Sequence, residues 1–562
     1  MITVSGSRIT VDTFTQTAVF EGGRMSSLIC KQNGERYLYD PDAASRPYPI
    51  SAVYPMKRTS GLGVNEEVSL DIIQYSDTYV RIAYSGWFGH GELAIEEDCE
   101  NGDICITPAV HSARPGLKAC RYAWYGLRED LWVTVPYMQG VRMPLDEPIL
   151  RTQNLQHLPY PANWEDNFVA FGNEEGGFSV YCRGARDRHK YLHLGAEDSD
   201  FAFSIDDENF GPYDTLCSAG GVTWRIRTYT GDWTTPVCAY RDEVLRAEPA
   251  WKKSEKTRPA WFDDIRMAVS WFPCDRDALD ILRRHIDPKH VLIHIPRWRI
   301  YEYDQQYPDF TPSAEGQAFI EYGRSLGFHM APHCNSLEID PSIPEFELVR
   351  DFRYRDADTR DAFGWGLGKN GFLGVPEENQ SIRSHRHYNV MTKIHPALPA
   401  WQTLLTKNVK AAVDALKVDT MFMDVTLCMW SITQGLVNNT SVMGGMEQLF
   451  DVLNHIGGVT YGGEGMNEMI LFQHFAQGHT AFLDDASRSR IPVKYYAPVN
   501  HLLMGELCHL IAYHSGHNAE TNTEQLQCDL RRGFLPCPFG LSDIDRPGSA
   551  ANLALEAALS QR

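Results

Sequence analysis

Two apolar segments in the second half of the chain each end in a carboxylic acid. Asp424 follows Met421-Phe422-Met423, and Glu464 follows Val459-Thr460-Tyr461-Gly462-Gly463. If these segments are adjacent strands of a barrel, both acids lie at the edge where active sites form. Two such acids, one ionised and one holding a proton, are what cleavage of a glycosidic bond requires. We therefore interpret Asp424 and Glu464 as candidate catalytic residues.

Both acids also have structural interpretations. An acid at the end of a strand can cap the next helix or remain solvated in a loop. Glu468, one predicted helical turn after Glu464, is the alternative to Glu464 and is otherwise expected to contact substrate. The glycines beside Glu464 favour that residue, because glycine permits a close approach of backbone or ligand.

Further polar and aromatic side chains are expected at the same edge. His333 and Asn335 follow the apolar run Phe328–Pro332 and suit hydrogen bonding to sugar hydroxyls, although a buried structural histidine is the alternative. Arg299 follows the second predicted strand and can place a cation at the substrate. Aromatic rings that can stack on a sugar, or alternatively pack in the core, are Trp298, Tyr301, Tyr303, Trp365, Trp430 and Tyr461.

The sequence lacks the common motifs of a zinc site. It contains no His-Glu-x-x-His, and Cys334 has no second cysteine nearby. The acidic pair Asp484-Asp485 is interpreted as solvated rather than as a cation site. We predict neither a metal nor a cofactor.

Charge narrows the choice of partners. Asp and Glu number 73 against 52 Lys and Arg, which gives a net charge of −21. A negative field of this size repels nucleic acids and anionic membranes. A small neutral glycoside or oligosaccharide is the expected partner, and homo-oligomerisation stays open.

The termini and cysteines favour a cytoplasmic location. Met1–Arg8 has no basic segment followed by an apolar one, and no stretch of the chain is apolar enough to span a membrane. The 13 cysteines form no Cys-x-x-Cys pair, which indicates free thiols. We therefore predict a cytoplasmic protein.

Short alternating strands dominate the first half of the chain. Ile9–Phe14, Val80–Tyr84 and Val222–Arg227 are examples, and Gly, Asn or Asp separate such runs. This pattern predicts an antiparallel β-sandwich over residues 1–250. The charged, proline-bearing stretch Ala247–Pro259 predicts the domain boundary.

The second half alternates short apolar runs with helix-length amphipathic segments. The predicted strands are Met267–Trp271, Val291–Ile295, Phe328–His333, Asp419–Asp424 and Val459–Glu464, and the predicted helices are Arg276–His285, Ala314–Leu326, Ala400–Leu416 and Met446–His455. This alternation predicts a (β/α)₈-type TIM barrel over residues 260–562, so the chain combines all-β and α/β classes. An open doubly wound sheet is the alternative, but no Gly-x-Gly-x-x-Gly follows its first strand. The seventh and eighth units are not resolved by the pattern.

The sandwich, the barrel, the strand ending in Asp424 and the later Gly462-Gly463-Glu464 resemble glycoside hydrolase families 101 and 129. These are retaining enzymes that act on α-linked N-acetylgalactosamine. The resemblance implies that Asp424 is the nucleophile and Glu464 the acid/base. It also implies that Trp298, His333 and Asn335 line the subsite of the cleaved sugar.

The resemblance leads to a functional expectation. The chain is shorter than the large extracellular members and has no evident C-terminal β-domain, which favours exo action on small imported glycosides. We expect a retaining exo-α-glycosidase for terminal galactose-type sugars, with N-acetylgalactosamine as one candidate. An inverting glycosidase, a lyase or a transglycosidase on the same scaffold, or a glycan-binding protein without catalysis, stays open. The proton of Glu464 predicts a bell-shaped pH–rate profile.

Overall fold

The computed structural model describes most of the chain. The described residues are 1–46, 48–55, 58–61, 68–86, 89–151, 157–197, 200–360, 364–365, 391–478, 491–512, 519–538 and 540–560. The chain divides into two compact units. The first comprises Met1–Leu245 with Ala357–Thr359, and the second begins at Arg246 and takes in most of the remaining residues.

The first unit consists of antiparallel strands followed by one helix. The strands are β1 Ile2–Ser5, β2 Arg8–Asp12, β3 Gln16–Glu21, β4 Arg24–Cys30, β5 Arg36–Tyr39, β6 Ile50–Tyr54, β7 Arg58–Gly61, β8 Ser69–Ser76, β9 Tyr79–Ser85, β10 Gly89–Glu97, β11 Ile104–Ser112, β12 Ala119–Trp124, β13 Trp132–Val135, β14 Val141–Pro144, β15 Leu158–Tyr160, β16 Phe168–Gly172, β17 Gly176–Cys182, β18 Lys190–Glu197, β19 Asp200–Glu208, β20 Ser218–Gly220 and β21 Trp224–Thr230, and the helix is α1 Thr234–Glu243.

Three sheets organise these strands, with five, ten and six strands each. Large aromatic side chains fill the space between the ten-stranded and six-stranded sheets. The rings of Phe171 on β16 and Phe203 on β19 lie 4.5 Å apart, and the Trp224 indole N–H donates to Asp207 at 3.1 Å. This arrangement agrees with the antiparallel sandwich predicted for the first half.

The predicted linker between the two halves is helical. Helix α2, Pro249–Thr257, begins with proline at its first position, where the missing N–H costs no hydrogen bond. Its Trp251 side chain is buried. The charged residues of this stretch therefore lie on the exposed face of a helix. Proline and charge predicted a domain boundary here but not a helix.

The second unit alternates strands and helices. Its strands are β22 Met267–Val269, β23 Val291–Ile295, β24 His329–Asn335, β25 Glu338–Ile339, β26 Gly364–Trp365, β27 Met391–Lys393, β28 Thr420–Asp424, β29 Leu436–Val437, β30 Thr440–Ser441, β31 Thr460–Glu464, β32 Phe475–Gly478 and β33 His509–Ala512. The further helices are α3 Arg276–Leu282, α4 Ala314–Leu326, α5 Pro399–Leu416, α6 Val442–Asn454, α7 Val499–Met504, α8 Ala519–Arg531 and α9 Ala550–Ser560. Short 3₁₀ helices cover Pro148–Arg151, Leu245–Ala247, Phe262–Asp264, Pro288–His290, Pro344–Leu348, Arg350–Phe352 and Val493–Tyr495.

A parallel sheet of seven strands forms the centre of this unit, in the order β22-β23-β24-β28-β31-β32-β33. Residues 534–538 lie in an extended segment between its two edge strands. The Leu535 N–H donates to the Leu510 carbonyl of β33, and the Ala268 N–H of β22 donates to the Pro536 carbonyl. These bonds nearly close a barrel, but within the described residues the predicted eighth regular strand is not found.

The regular alternation of strands and helices breaks after β31. Residues 465–474 run through turns to β32 without a helix, so Glu468 lies in a turn rather than in the predicted helix. Gly465, at φ +76°, starts this change of direction, a backbone conformation that glycine adopts without strain. The sequence pattern failed here because buried turns are as apolar as a helix face.

Two other expectations concern the whole chain. All 13 cysteines lie in the described ranges and are free thiols. None of the helices that the structure describes has the length and hydropathy to cross a membrane.

Candidate active site

The parallel register of β28 and β31 places the two candidate acids side by side. Met423 is the partner of Gly463, so Asp424 and Glu464 end adjacent strands at the same edge of the sheet. The Val425 N–H donates to Glu464 Oε2 at 3.2 Å. Asp424 is 9% exposed and Glu464 is half-buried. The structure thus brings together the two acids that the sequence selected.

The glycines before Glu464 make room for neighbouring protein atoms. A Cβ on Gly462 would lie 2.3 Å from the Phe475 ring, and one on Gly463 would lie 2.7 Å from Thr426 Oγ1. The same Thr426 hydroxyl accepts from the Glu464 N–H at 2.8 Å and donates to its carbonyl at 2.7 Å. The absence of a side chain on Gly463 therefore lets Thr426 come close enough to hold the backbone of Glu464.

The backbone after Asp424 is strained. Val425 has φ +69°, in the left-handed region that a β-branched residue rarely adopts. The Asp424 carbonyl accepts from the Ser336 N–H at 3.1 Å and from its hydroxyl at 2.6 Å. Strain held in this way by surrounding hydrogen bonds is characteristic of functional sites.

The surroundings of Glu464 favour its protonated form. Burial raises the pKa of Glu464 well above its usual range, and the charge of Asp424 raises it further. The Lys393 ammonium and the Val425 N–H oppose this rise without cancelling it. Glu464 therefore keeps its proton where an ordinary glutamate has lost it, as a general acid must.

The raised pKa of Glu464 predicts a gain in stability for Glu464→Gln at neutral pH. The folded state resists ionising this group, so the wild type loses stability as pH rises from the ordinary glutamate pKa through the raised one. Below both values the acid is protonated in the folded and unfolded states, and the two proteins should melt together. Thermal melts at pH 4 and pH 8 test this. We expect a higher Tm for the variant at pH 8 only, and equal values at pH 8 would contradict the raised pKa.

Two side chains, Tyr303 and His333, face one oxygen of Asp424. The Tyr303 hydroxyl donates to Asp424 Oδ2 at 3.4 Å, and His333 Nε2 lies 3.5 Å from the same oxygen. Among the described residues, Asp424 Oδ1 has no hydrogen bond. The ring of Tyr303 also packs against Trp271 and His333, at centroid distances of 5.2 and 5.1 Å. The two oxygens of the Asp424 carboxylate thus have different surroundings.

A buried ion pair lies behind the site. Lys393 Nζ bonds Glu338 Oε1, and both side chains are at most 1% exposed. The other oxygen of Glu338 accepts from Asn335 Nδ2 at 2.9 Å. Asn335 Oδ1 in turn accepts from the N–H groups of Leu337 and Glu338, at 3.1 and 2.8 Å. This network shapes the turn that follows β24, and its positive charge lies close enough to act on Glu464.

Removing only the cation of this pair is expected to destabilise the folded protein. Lys393→Met leaves the Glu338 carboxylate buried without a partner, which lowers the free energy of unfolding by about 3–5 kcal/mol. The double variant Lys393→Met/Glu338→Gln removes both charges and should recover most of the loss. Urea unfolding measures each value. A loss below about 1 kcal/mol in the single variant would contradict a dry ion pair.

Asp304 adds a further buried acid that the sequence did not indicate. It lies in the loop after β23 at φ +57° and is 9% exposed. Its Oδ1 is buried and has no hydrogen-bond partner among the residues that the structure describes. Burial, Glu338 and Asp424 all raise the pKa of Asp304 well above its usual range. Asp304 therefore lies close enough to Asp424 for the charge of Asp424 to favour its protonated form.

Two of the predicted ligand contacts, Trp298 and Arg299, are buried in the structure. Trp298 is 1% exposed and its indole N–H donates to the His333 carbonyl at 2.9 Å, so it supports β24 from behind. Arg299 is 7% exposed and holds its own loop, donating to the carbonyls of Gln305 and Asp309 at 3.0 and 2.7 Å. Neither presents a face to solvent, because each satisfies groups of the loop that carries it.

The remaining predicted contacts also vary in placement. Asn335 and Glu468 are fully buried, whereas Trp430, in the loop after β28, is half-buried. Tyr461 is fully buried and donates to the Leu453 carbonyl at 3.0 Å. The Trp365 side chain and the Asp484-Asp485 pair lie outside the described residues. In the described part of the chain, His, Cys, Asp and Glu side chains form no group of three or more arranged to hold a metal.

Several groups of this site were not predicted from the sequence. They are Ser270, Trp271, His294, Asp304, Glu338, Lys393 and Gln477. His294 alone carried a visible signal, because it interrupts the apolar run of β23. The others lie on loops or short strands whose path the local pattern does not determine.

Comparisons with known proteins bear on the fold. A model of a domain of unknown function, DUF6259, matches residues 222–434, a stretch that contains Asp424 and ends before Glu464. No curated protein matches the chain.

Solved structures give broader matches. The chain is similar to the α-N-acetylgalactosaminidase NagBb from Bifidobacterium bifidum in complex with GalNAc, with a TM-score of 0.63 and 13% identity over 100% of this chain and 93% of that one. It is also similar to two GH36 α-galactosidases from Geobacillus stearothermophilus, each with a TM-score of 0.50. AgaB is 8% identical over 100% of this chain and 86% of that one, and AgaA is 9% identical over 98% and 85%. Identities this low show a shared fold, and at that level the expected likeness to α-N-acetylgalactosaminidase-type enzymes is confirmed.

Proposed function

We propose that the chain is a retaining exo-α-glycosidase that removes terminal galactose-type sugars, with α-linked N-acetylgalactosamine as a candidate substrate. One observation carries this proposal. Asp424 and Glu464 end adjacent parallel strands, and burial together with the charge of Asp424 holds the proton on Glu464. A carboxylate beside a protonated carboxylic acid is the pair that double displacement uses.

In the first step, an oxygen of Asp424 attacks the anomeric carbon of the bound sugar. The bond from that carbon to the leaving oxygen breaks, and the leaving oxygen takes the proton of Glu464. The anchoring of Asp424 Oδ2 by Tyr303 supports attack through Oδ1. The product of this step is a glycosyl ester on Asp424 with inverted configuration.

In the second step, Glu464 is ionised and acts as a base. It takes a proton from water, and the water oxygen displaces Asp424 from the anomeric carbon. The second inversion restores the original configuration and returns both acids to their starting states. The same residue thus serves as acid and then as base, as microscopic reversibility requires.

The sugar class rests on two further observations. The names of the similar solved structures identify an α-N-acetylgalactosaminidase and α-galactosidases. The net charge of −21 favours a neutral sugar over an anionic one. We also propose a cytoplasmic location, which the 13 free thiols support.

A screen of aryl α- and β-glycosides with NMR detection of the product tests the proposal. We expect turnover of an α-galactoside or α-N-acetylgalactosaminide, with the α-anomer formed first. A β-anomer formed first would assign an inverting enzyme, and an unsaturated sugar would assign a lyase. Saturable binding of a glycan without turnover would assign a binding protein instead.

A further inference from the structure

A chain of buried polar groups crosses the interior of the second unit from β32 to Asp424. Gln477 Nε2 donates to Ser270 Oγ at 2.6 Å, and Ser270 Oγ lies 3.2 Å from His294 Nδ1. His294 Nε2 lies 3.0 Å from His333 Nδ1. His333 Nε2 faces Asp424 Oδ2. Both histidines are at most 1% exposed. We call His294 and His333 the histidine relay.

The backbone fixes the tautomer of His294. The Trp271 N–H donates to His294 Nδ1 at 3.3 Å. A backbone amide can only donate, so Nδ1 must keep a lone pair and the proton of the neutral ring must lie on Nε2. His294 Nε2–H is therefore the donor in the bond to His333 Nδ1. Burial reinforces this state, because it lowers the pKa of His294 well below its usual value.

The bond from His294 fixes His333 in turn. Since His333 Nδ1 accepts, the proton of His333 lies on Nε2 and points toward Asp424. Phe422 stacks on one side of the ring at 5.2 Å, and Tyr303 packs against it at 5.1 Å. The bond from His294 thus sets the tautomer of His333, and the packed rings of Phe422 and Tyr303 set its orientation.

We propose that His294 and His333 are positioning residues that hold a neutral N–H against one oxygen of Asp424 and leave its other oxygen to attack. This role rests on the function proposed above, because it requires that Asp424 reacts. A neutral donor orients the carboxylate without neutralising it as a cation would. The 3.5 Å separation fits such a group before substrate binds, since catalytic hydrogen bonds commonly tighten only in the substrate complex.

Nitrogen NMR of the full chain with ¹⁵N-labelled histidine tests the geometry without any need for turnover. His294→Gln and His333→Gln assign the signals. We expect the ring proton on Nε2 in both histidines, and we expect His294, whose pKa burial lowers, to be neutral at pH 5.5, where an ordinary histidine is mostly charged. The His333 signal should also shift in Asp424→Asn. A charged His294 ring, or a proton on Nδ1 of either neutral ring, would overturn the relay.

His474 is a matched control for this measurement. It is also buried in the second unit, but its Nδ1 faces the Leu507 carbonyl at 3.1 Å, an obligate acceptor. Its proton should therefore lie on Nδ1, the opposite tautomer from the relay. Its signal should not move in Asp424→Asn.

Kinetics test the positioning role itself. His294→Leu breaks the relay without touching Asp424, and we expect kcat for an activated aryl glycoside to fall about 10- to 100-fold with KM changed less than about twofold. His294→Gln can accept from Trp271 and donate to His333, so it should stay within about threefold of the wild type. His474→Leu controls for the loss of a buried histidine and should keep the wild-type kcat.

The outcomes separate this inference from the proposed function. If the wild type turns over and His294→Leu keeps its kcat, the positioning role is wrong and the proposed function stands. If the wild type hydrolyses no glycoside, the proposed function and the positioning role both fall.

Discussion

Asp424→Asn is expected to lower kcat for an activated aryl α-galactoside by at least about 10⁴-fold, or about 5.5 kcal/mol of barrier. The amide is nearly the same size and can keep the contact with Tyr303, but it cannot form the glycosyl ester. The fold should therefore survive while both chemical steps are lost. Steady-state rates, with circular dichroism as the check on folding, measure the effect.

Asp419→Asn is the control for this variant. Asp419 precedes the same strand at its opposite end and pairs with His329 Nδ1 at 2.7 Å, so its loss should leave kcat unchanged. Activity of Asp424→Asn within about tenfold of the wild type would remove Asp424 from the mechanism.

Glu464→Ala is expected to have a rate that depends strongly on the leaving group and on added azide. Without its acid, hydrolysis of a substrate with a poor leaving group should slow by about 10²- to 10⁴-fold, whereas a dinitrophenyl leaving group needs little protonation. Without its base, the glycosyl ester should accumulate and react slowly with water. Azide needs no base, so it should restore turnover and give an α-glycosyl azide.

The product of azide rescue identifies the role of Glu464. A β-glycosyl azide would show a single displacement and would contradict double displacement through Asp424. Asp424→Ala with azide is the matched control, because direct attack on the substrate gives that β-product. If azide left the rate of Glu464→Ala unchanged, the base role of Glu464 would be wrong.

The sequence predicted the edge that carries Asp424 and Glu464 because the relevant strands are short and largely buried. Apolar residues run to the end of β28, so the polar residue that interrupts the pattern, Asp424, stands out. The same reasoning located Glu464 and His333. Neighbouring parallel strands have their carboxyl ends at the same edge of the sheet, so the residues that end them lie close together.

The supporting groups could not be predicted in the same way. Lys393 lies on the three-residue strand β27 and reaches Glu338 through pairing with β25, a contact that no local pattern encodes. Asp304 depends on a left-handed backbone within a long loop. Trp298 and Arg299, predicted to contact substrate, are buried in the loop after β23. Whether such residues face the ligand or the loop depends on tertiary contacts rather than on residue type.

Helices were predicted where capping and periodicity agree. Helix α4 begins after Ser313, whose hydroxyl accepts from the Gly316 N–H at 2.9 Å, and ends at Gly327 with φ +102°. Its predicted bounds, Ala314–Leu326, match the structure. The turns between β31 and β32 have no such signals, and there the predicted helix is wrong.

Trapping the glycosyl ester tests the central claim most directly. A 5-fluoro-α-galactosyl fluoride, or its N-acetylgalactosamine counterpart, should react quickly and hydrolyse slowly, and peptide mass spectrometry then locates the sugar. The account predicts one sugar per chain, on the peptide that contains Asp424, and none in Asp424→Asn. A sugar attached to another residue, or release of product with no adduct at any time, would contradict it.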